Sequence, residues 1–112
     1  MNKIQAYVNT RKPKVVSIQM NANFFCERAI QSLDRQDYIK ALKYFRRAVE
    51  LEPDNPVHHC NMAGVLSEMG QFDKSNQVLH HIVEQVDPDM TECYFYMSNN
   101  YANLSQFEEA EK

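Results

Sequence analysis

The fold is decided by residues 37–55, which read DYIKALKYFRRAVELEPDN. Apolar side chains recur in this stretch every three or four positions, which places them on one face of a helix. The stretch therefore predicts an amphipathic helix over residues 38–52. Asp54-Asn55-Pro56 predicts the start of the next helix, because a polar cap is followed by proline at the first helical position, where a missing N–H costs nothing. The apolar positions are Tyr38, Ala41, Leu42, Phe45, Ala48, Val49 and Leu51.

The same pattern recurs along the chain with a period of 34 to 35 residues. Tyr38, Phe72 and Phe107 are separated by 34 and 35 residues, and Pro53 and Pro88 by 35. Several residue classes that keep one period indicate internal repeats of a single supersecondary unit. The other recurring sets are Phe25, His59 and Tyr94; Ala29, Ala63 and Ser98; and Ala41, Ser75 and Ala110.

The periodicity predicts six helices that pair into hairpins. One hairpin cannot bury its own apolar face, so we expect neighbouring hairpins to stack into a continuous core. The small residues that recur with Ala29 and Ala41 would let the two helices of each hairpin approach closely. Gly70 suits the end of the third helix, where glycine is the usual terminator. The predicted helices span residues 22–35, 38–52, 56–69, 72–86, 90–104 and 107 onward.

Residues 22–112 resemble tetratricopeptide repeats. Residues 37–55 are close to the second helix of the family's motif. The stretches NMAGVLSEMGQFDKS (61–75) and YMSNNYANLSQFEEAEK (96–112) are similar to its first helix and turn. The resemblance implies an all-α fold, a right-handed solenoid of stacked antiparallel helix hairpins with about two and two-thirds repeats. Four residues depart from the motif at positions that are usually apolar, aromatic or alanine: Arg28, Ser32, His59 and Ser75.

The repeats divide the chain into a basic arm and a repeat domain. The arm is residues 1–21, and the repeats are residues 22–55, 56–90 and a truncated 91–112. A stable array does not normally end on half a hairpin, because terminal repeats need a polar cap. We therefore expect the chain to be the N-terminal piece of a longer protein.

The resemblance also implies a concave groove, lined by the first helix of each repeat, in which a peptide lies. Asparagine suits such a groove because its amide both donates and accepts hydrogen bonds, so it can hold a peptide backbone. Phe95 and Tyr96 could anchor an apolar side chain. Asn23 and Asp34 face the same way. The groove residues carried over from the family are Cys26, Ile30, Leu33, Val57, Cys60, Asn61, Gly64, Glu68, Glu92, Phe95, Tyr96, Asn99 and Asn103.

One subtype of the family grips the C-terminal carboxylate of chaperone tails with lysine, asparagine and arginine. At the five matching positions of this chain only Asn61 agrees. Acidic Glu92 would repel a carboxylate. We therefore do not expect binding of that kind. The four positions that disagree are Cys26, Ile30, Glu92 and Tyr96.

The sequence offers little that predicts catalysis or a metal site. The doublets His58-His59 and His80-His81 point about 100° apart on a helix, so neither converges on one ion. No glycine-rich phosphate loop, GxSxG turn or Cys–His pair with a supporting motif occurs. The three cysteines form no CxxC pair and read as structural thiols. We expect no enzyme activity, no cofactor and no metal.

Charge is distributed unevenly along the chain. Residues 1–14 carry +4, residues 15–55 are balanced, and residues 56–112 carry −7, which gives the net charge of −3. An acidic body repels phosphate, so we expect no nucleic-acid partner. No run approaches the roughly 18 apolar residues of a membrane span, and we expect a cytoplasmic location.

The leading functional prediction is a protein–protein interaction scaffold that binds a peptide or protein segment in its groove. The alternative is a structural or self-assembly module that supports a domain missing from this fragment. In that alternative the +4 arm docks on the −7 body of another copy and forms a homo-oligomer.

Overall fold

A computed structural model of the 112-residue chain describes residues 21–111, and side chains over residues 21–106. The helices follow one another and each packs on its neighbours in chain order, which confirms the all-α stack of hairpins. The predicted arm falls, apart from Asn21, outside the described residues, and the division into domains stays a prediction. The helices are α1 (Ala22–Asp34), α2 (Tyr38–Leu51), α3 (Pro56–Glu68), α4 (Phe72–His81), which continues as a π-helical segment (Ile82–Val86), and α5 (Glu92–Glu111).

The first three helices begin at side-chain caps. The carboxamide oxygen of Asn21 accepts from the backbone N–H of Phe24 at 3.0 Å, and Asn55 accepts from Val57 at 3.0 Å. Asp37 caps α2 in the same way, through Lys40 N at 3.2 Å. Each cap satisfies a backbone donor that the helix leaves unpaired. The starts at residues 22, 38 and 56 confirm the predicted ones.

Each hairpin turn passes through one residue with positive φ. Gly70 has φ +79° in the α3–α4 turn, and Gln36 has φ 60° at the equivalent position of the α1–α2 turn. Glycine adopts this conformation freely, whereas a residue with a Cβ is strained in it by roughly 1–2 kcal/mol. The first turn therefore retains strain that the second avoids.

Small residues bring the helices of each hairpin together. Ala29 of α1 and Ala41 of α2 are both fully buried in one apolar cluster with Phe45 and with Val65 of α3. A second cluster joins α3, α4, the π-helical segment and α5. Each cluster therefore connects a hairpin to the first helix of the next, as predicted for stacked repeats. The buried members of the second cluster are Ala63, Leu79, Ile82, Cys93 and Met97.

Polar residues at core positions are hydrogen-bonded. Ser32 donates to the carbonyl of Arg28 one turn earlier, at 3.0 Å. His59 Nε2 lies 2.8 Å from the carbonyl oxygen of Pro53, so this nitrogen carries a proton and donates. Because a buried polar group without a partner is costly, these bonds let the family's apolar positions accept polar side chains.

The predicted register of the first helix of the third repeat, which forms the start of α5, is wrong by one residue. Tyr94 and Ser98 were expected at the buried positions of His59 and Ala63, yet both are exposed, and Cys93 and Met97 are buried instead. The buried set thus keeps a strict 34-residue period. The 35-residue spacing between Pro53 and Pro88 misled the prediction, because a proline only has to lie somewhere in the turn between hairpins, whereas burial is fixed by the helix face.

The predicted break between residues 104 and 107 is also wrong, since α5 continues unbroken to Glu111. Leu104 lies 34 residues after Gly70, as Gly70 does after Gln36. A leucine would be strained in the left-handed conformation that such a turn requires, whereas the helical conformation is unstrained.

A buried polar network fixes α5 against α3 and α4. The hydroxyl of Ser75 donates to the carbonyl of Ala63 at 2.9 Å. The amide nitrogen of Asn100 donates to Ser75 Oγ at 2.9 Å and to Asn76 Oδ1 at 2.8 Å. Ser67 Oγ lies 2.7 Å from Asn100 Oδ1 and 2.9 Å from Ser75 Oγ, and its single proton goes to the closer Asn100. One asparagine therefore joins three helices.

We predict that Asn100→Leu lowers the free energy of unfolding by about 2 kcal/mol, because it leaves the buried Asn76 carbonyl without a donor and removes the hydrogen bonds of Asn100 to Ser67 and Ser75. Urea unfolding followed by circular dichroism measures the change. The adjacent Asn99→Leu is the matched control. Asn99 is exposed, and its change should stay within about 0.5 kcal/mol. An Asn100→Leu variant as stable as the wild type would contradict the role of the network.

We predict opposite effects for two substitutions at the positive-φ positions. Gly70→Ala should lower the free energy of unfolding by about 1 kcal/mol, and Gln36→Gly should raise it by about as much. The control is Gly64→Ala within α3, where alanine should stabilise the helix by about 1 kcal/mol. The same urea titration measures all three. A neutral or stabilising Gly70→Ala would show that the turn does not require positive φ.

Candidate functional site

A cavity of about 720 Å³ lies on one face of the stack, bounded by α1, α3 and α5. Nine of the thirteen predicted groove residues line it. Cys26, Val57, Glu92 and Phe95 do not line it. The predicted residues that do are Ile30, Leu33, Cys60, Asn61, Gly64, Glu68, Tyr96, Asn99 and Asn103.

The wall formed by α1 is apolar. This wall consists of Ile30 and Leu33, which lie one turn apart on α1. Phe45 of α2 also lines the cavity. Half of the Ile30 surface is exposed, at 52%. The free energy falls when exposed apolar side chains leave water. This wall therefore favours an apolar group of a ligand.

The wall formed by α3 owes its depth to a glycine. Asn61, Gly64 and Glu68 follow one another along one face of α3, separated by about one turn each. A Cβ added at Gly64 would meet no atom within 4 Å, so the missing side chain leaves open space. The middle of α3 therefore leaves the cavity open, with the half-buried amide of Asn61 on one side and the carboxylate of Glu68 on the other.

The wall formed by α5 is rich in amides. Asn99 and Asn103 line it, and Asn103 Nδ2 donates to the backbone carbonyl of Asn99 at 2.9 Å. Tyr96 lies one turn before Asn99 and contacts the ring of Phe95, with centroids 5.8 Å apart. Phe95 itself is 64% exposed and does not line the cavity. The amides and Tyr96 thus line the same cavity as the apolar wall.

Sequence reasoning missed the floor of the cavity. Apart from the half-buried Phe72, the floor consists of residues that also belong to the core or to the polar network, and no surface pattern distinguishes them. The helix periodicity could have found the apolar ones, but not the inward turn of Asn100. The residues concerned are Phe45, Ala63, Val65, Ser67, Phe72, Ser75, Leu79 and Asn100.

The cavity is electrostatically negative. Glu68 is the one formally charged residue in the lining, and no lysine, arginine or histidine of residues 21–106 lines it. Burial raises the pKa of the Cys60 thiol, and Glu92 nearby raises it further. Cys60 is therefore protonated at neutral pH and a poor nucleophile, since thiolate is the reactive form.

A Cys–His–carboxylate group lies outside the cavity, where sequence reasoning did not place one. Cys26 Sγ is 3.4 Å from His58 Nδ1, and His58 Nε2 is 2.7 Å from Glu52 Oε1. Since a carboxylate only accepts, Nε2 donates to Glu52 and Nδ1 accepts from the thiol. Asn55 Nδ2 also donates to Glu52 Oε1, at 3.2 Å. These bonds connect α1, α3 and the turn between the two hairpins.

The charges in this group do not activate the thiol. Hydrogen bonds from His58 and Asn55 lower the pKa of Glu52. Burial raises the pKa of Cys26, and the neighbouring carboxylates of Glu52 and Glu27 raise it further. The thiol is therefore neutral at pH 7, and the group reads as a structural contact between the first two repeats.

No three histidine, cysteine or carboxylate side chains of the described part come together as metal ligands. Among the described helices, none is both long enough and apolar enough to cross a membrane.

Comparison with known proteins agrees with the geometry of the stack. A protein from Bacillus subtilis (strain 168), "TPR repeat-containing protein YvcD", is 31% identical over 99 residues, which cover 88% of this chain and 20% of that protein. The "Protein STIP1 homolog" of Dictyostelium discoideum is 33% identical over 79 residues, 69% of this chain and 14% of that protein.

A third relative, "Small glutamine-rich tetratricopeptide repeat-containing protein 2" of Mycosarcoma maydis, is 25% identical over 80 residues, 71% of this chain and 22% of that protein. The chain thus spans less than a quarter of the length of these relatives. The family model described as "Tetratricopeptide repeat" matches residues 32–92, more than half of the chain. The chain belongs to the tetratricopeptide repeat family.

Proposed function

We propose that this chain binds a segment of a partner protein in the cavity bounded by α1, α3 and α5. The observation that carries the proposal is the cavity of about 720 Å³ with an apolar wall on α1 and amides on α5. A short segment of polypeptide needs both surfaces, because it presents apolar side chains and unpaired backbone groups together.

The two walls have complementary tasks. Ile30 and Leu33 would take an apolar side chain, which contributes about 25 cal/mol for each Å² buried. Asn61, Asn99 and Asn103 would bond the N–H and C=O groups of the ligand backbone, which every peptide has. Because helices hold all these residues in place before binding, little ordering is needed, and less of the interaction free energy is lost.

Binding suits the chemistry of the cavity better than catalysis does. Its thiol, Cys60, has a raised pKa, and its one carboxylate, Glu68, has no second carboxylate beside it in the lining. General acid–base or nucleophilic catalysis needs groups tuned toward neutral pH and paired with each other. We therefore propose a scaffold rather than an enzyme, without a cofactor.

Self-assembly is the second candidate. What favours it is the charge of the chain, +4 in residues 1–14 against −7 in residues 56–112. Opposite charges of this size speed and stabilise association at low salt. The predictions of a cytoplasmic location and of no nucleic-acid or membrane partner stay predictions.

Filling the cavity tests the proposal. Random peptides of about twelve residues are selected on the chain by phage display, and the affinities of the selected peptides are measured by fluorescence anisotropy. Gly64→Leu places a side chain in the open space of the cavity, and it should weaken binding at least about tenfold, which corresponds to about 1.4 kcal/mol.

Gly64→Ala is the matched control, because a single methyl group leaves most of the cavity open. The selected peptides should bind Gly64→Ala with an affinity within about threefold of their affinity for the wild type. Both substitutions favour the helix, by roughly 1 kcal/mol, so thermal unfolding should show no loss of stability. Peptides that bind Gly64→Leu as tightly as the wild type would show that the cavity is not the binding site.

A further inference from the structure

We propose that the segment bound in this cavity carries a basic side chain, lysine or arginine, beside an apolar one. This inference rests on the proposed function and names the chemistry of its partner. The basic group would pair with Glu68, and its apolar neighbour would pack on Ile30 and Leu33. These three residues line the same cavity.

The charge of Glu68 is uncompensated within the described part of the chain. Among the side chains of residues 21–106, Arg47 forms an ion pair with Glu50 and His58 a hydrogen bond with the Glu52 carboxylate, and neither contact involves Glu68. The lining adds no cation of its own. A positively charged ligand group placed here would meet an unpaired carboxylate beside amide acceptors, which favours a charge-assisted hydrogen bond.

The position of Glu68 in its helix strengthens the effect. It is the last residue of α3, and the last turn of that helix contains no basic residue. The carboxyl end of a helix carries a partial negative charge, which normally attracts lysine or arginine. Here the helix supplies a carboxylate instead, so the local potential is negative from both sources.

A second negative charge lies outside the lining, on the helix that forms the amide wall. Glu92 is the first residue of α5 and is exposed. Tyr96, on the α5 wall, adds an aromatic face that can contact a guanidinium or ammonium group. An acidic segment would find repulsion and no partner at these positions, so we expect the cavity to reject it.

The test uses a library of hexapeptides with blocked termini, in which one position at a time is fixed as Arg, Lys, Gln, Leu or Glu. Binding of each pool to the whole chain is measured by competition in fluorescence anisotropy. Because Glu68 is solvent-exposed, the expected preference for Arg or Lys over Gln at the best position is moderate, about three- to tenfold. It should fall as salt is added.

Two variants make the assignment specific. Glu68→Gln should abolish the preference while keeping the binding of Gln and Leu pools. Asp34→Asn is the matched control, since Asp34 is the last residue of α1, lies 34 residues before Glu68, and does not line the cavity. This variant should keep the preference in full.

The outcomes separate this inference from the function on which it rests. Pools that bind the wild type more tightly than Gly64→Leu, but without preference for Arg or Lys, would overturn the basic partner and leave the groove function standing. A preference that survives in Glu68→Gln would overturn it as well. If no pool distinguishes the wild type from Gly64→Leu, both proposals fail.

Discussion

Close contact between the two helices of each hairpin is the constraint on which the rest of the structure depends. In the first hairpin Ala29 meets Ala41, and both have no exposed surface. In the second, Ala63 meets Ser75, which is equally buried and hydrogen-bonded to the Ala63 carbonyl. Larger side chains at these positions would separate the helices and open the core, because protein interiors tolerate little added volume.

The serine at the second contact has a consequence for the cavity. Its hydroxyl oxygen can accept as well as donate, so it recruits Asn100 from α5, and Asn100 in turn bonds Asn76 and Ser67. The rotation of α5 about its own axis is thereby set. With Asn100 turned inward, Asn99 and Asn103 on the neighbouring face line the cavity. The amide wall of the site is thus a product of the internal network.

Much of the fold could be predicted from the sequence, because helix periodicity and the recurrence of alanine, proline and aromatic residues are properties of the chain itself. The cap before Pro56 and the close approach of Ala29 and Ala41 follow directly from these patterns. The register of α5, that is, which of its residues face the core, was harder to predict. Two adjacent residues, Cys93 and Tyr94, fit almost the same apolar period, and which one is buried depends on how α5 packs on α4.

The candidate site was predicted in part, because helix periodicity also places residues on the outer face of a helix. Positions on the outer face of a helix, such as Asn61 and Asn99, follow from the period, whereas Phe95 shows how a one-residue error moves a side chain by about 100° around the helix. The contact between Cys26, His58 and Glu52 joins residues from α1, α3 and a turn. No short motif encodes such a meeting, since it requires the hairpins to be stacked first.

The proposed function requires that the face formed by α1, α3 and α5 receives the ligand. Nitrogen-15 NMR titration of the whole chain with a selected peptide tests it most directly. We predict that the amide signals of Asn61, Gly64, Glu68, Asn99 and Asn103 shift together, while those of exposed residues on α2 and α4, such as Lys43 and Lys74, stay in place. Shifts confined to α2 and α4, with the cavity signals unchanged, would contradict the account.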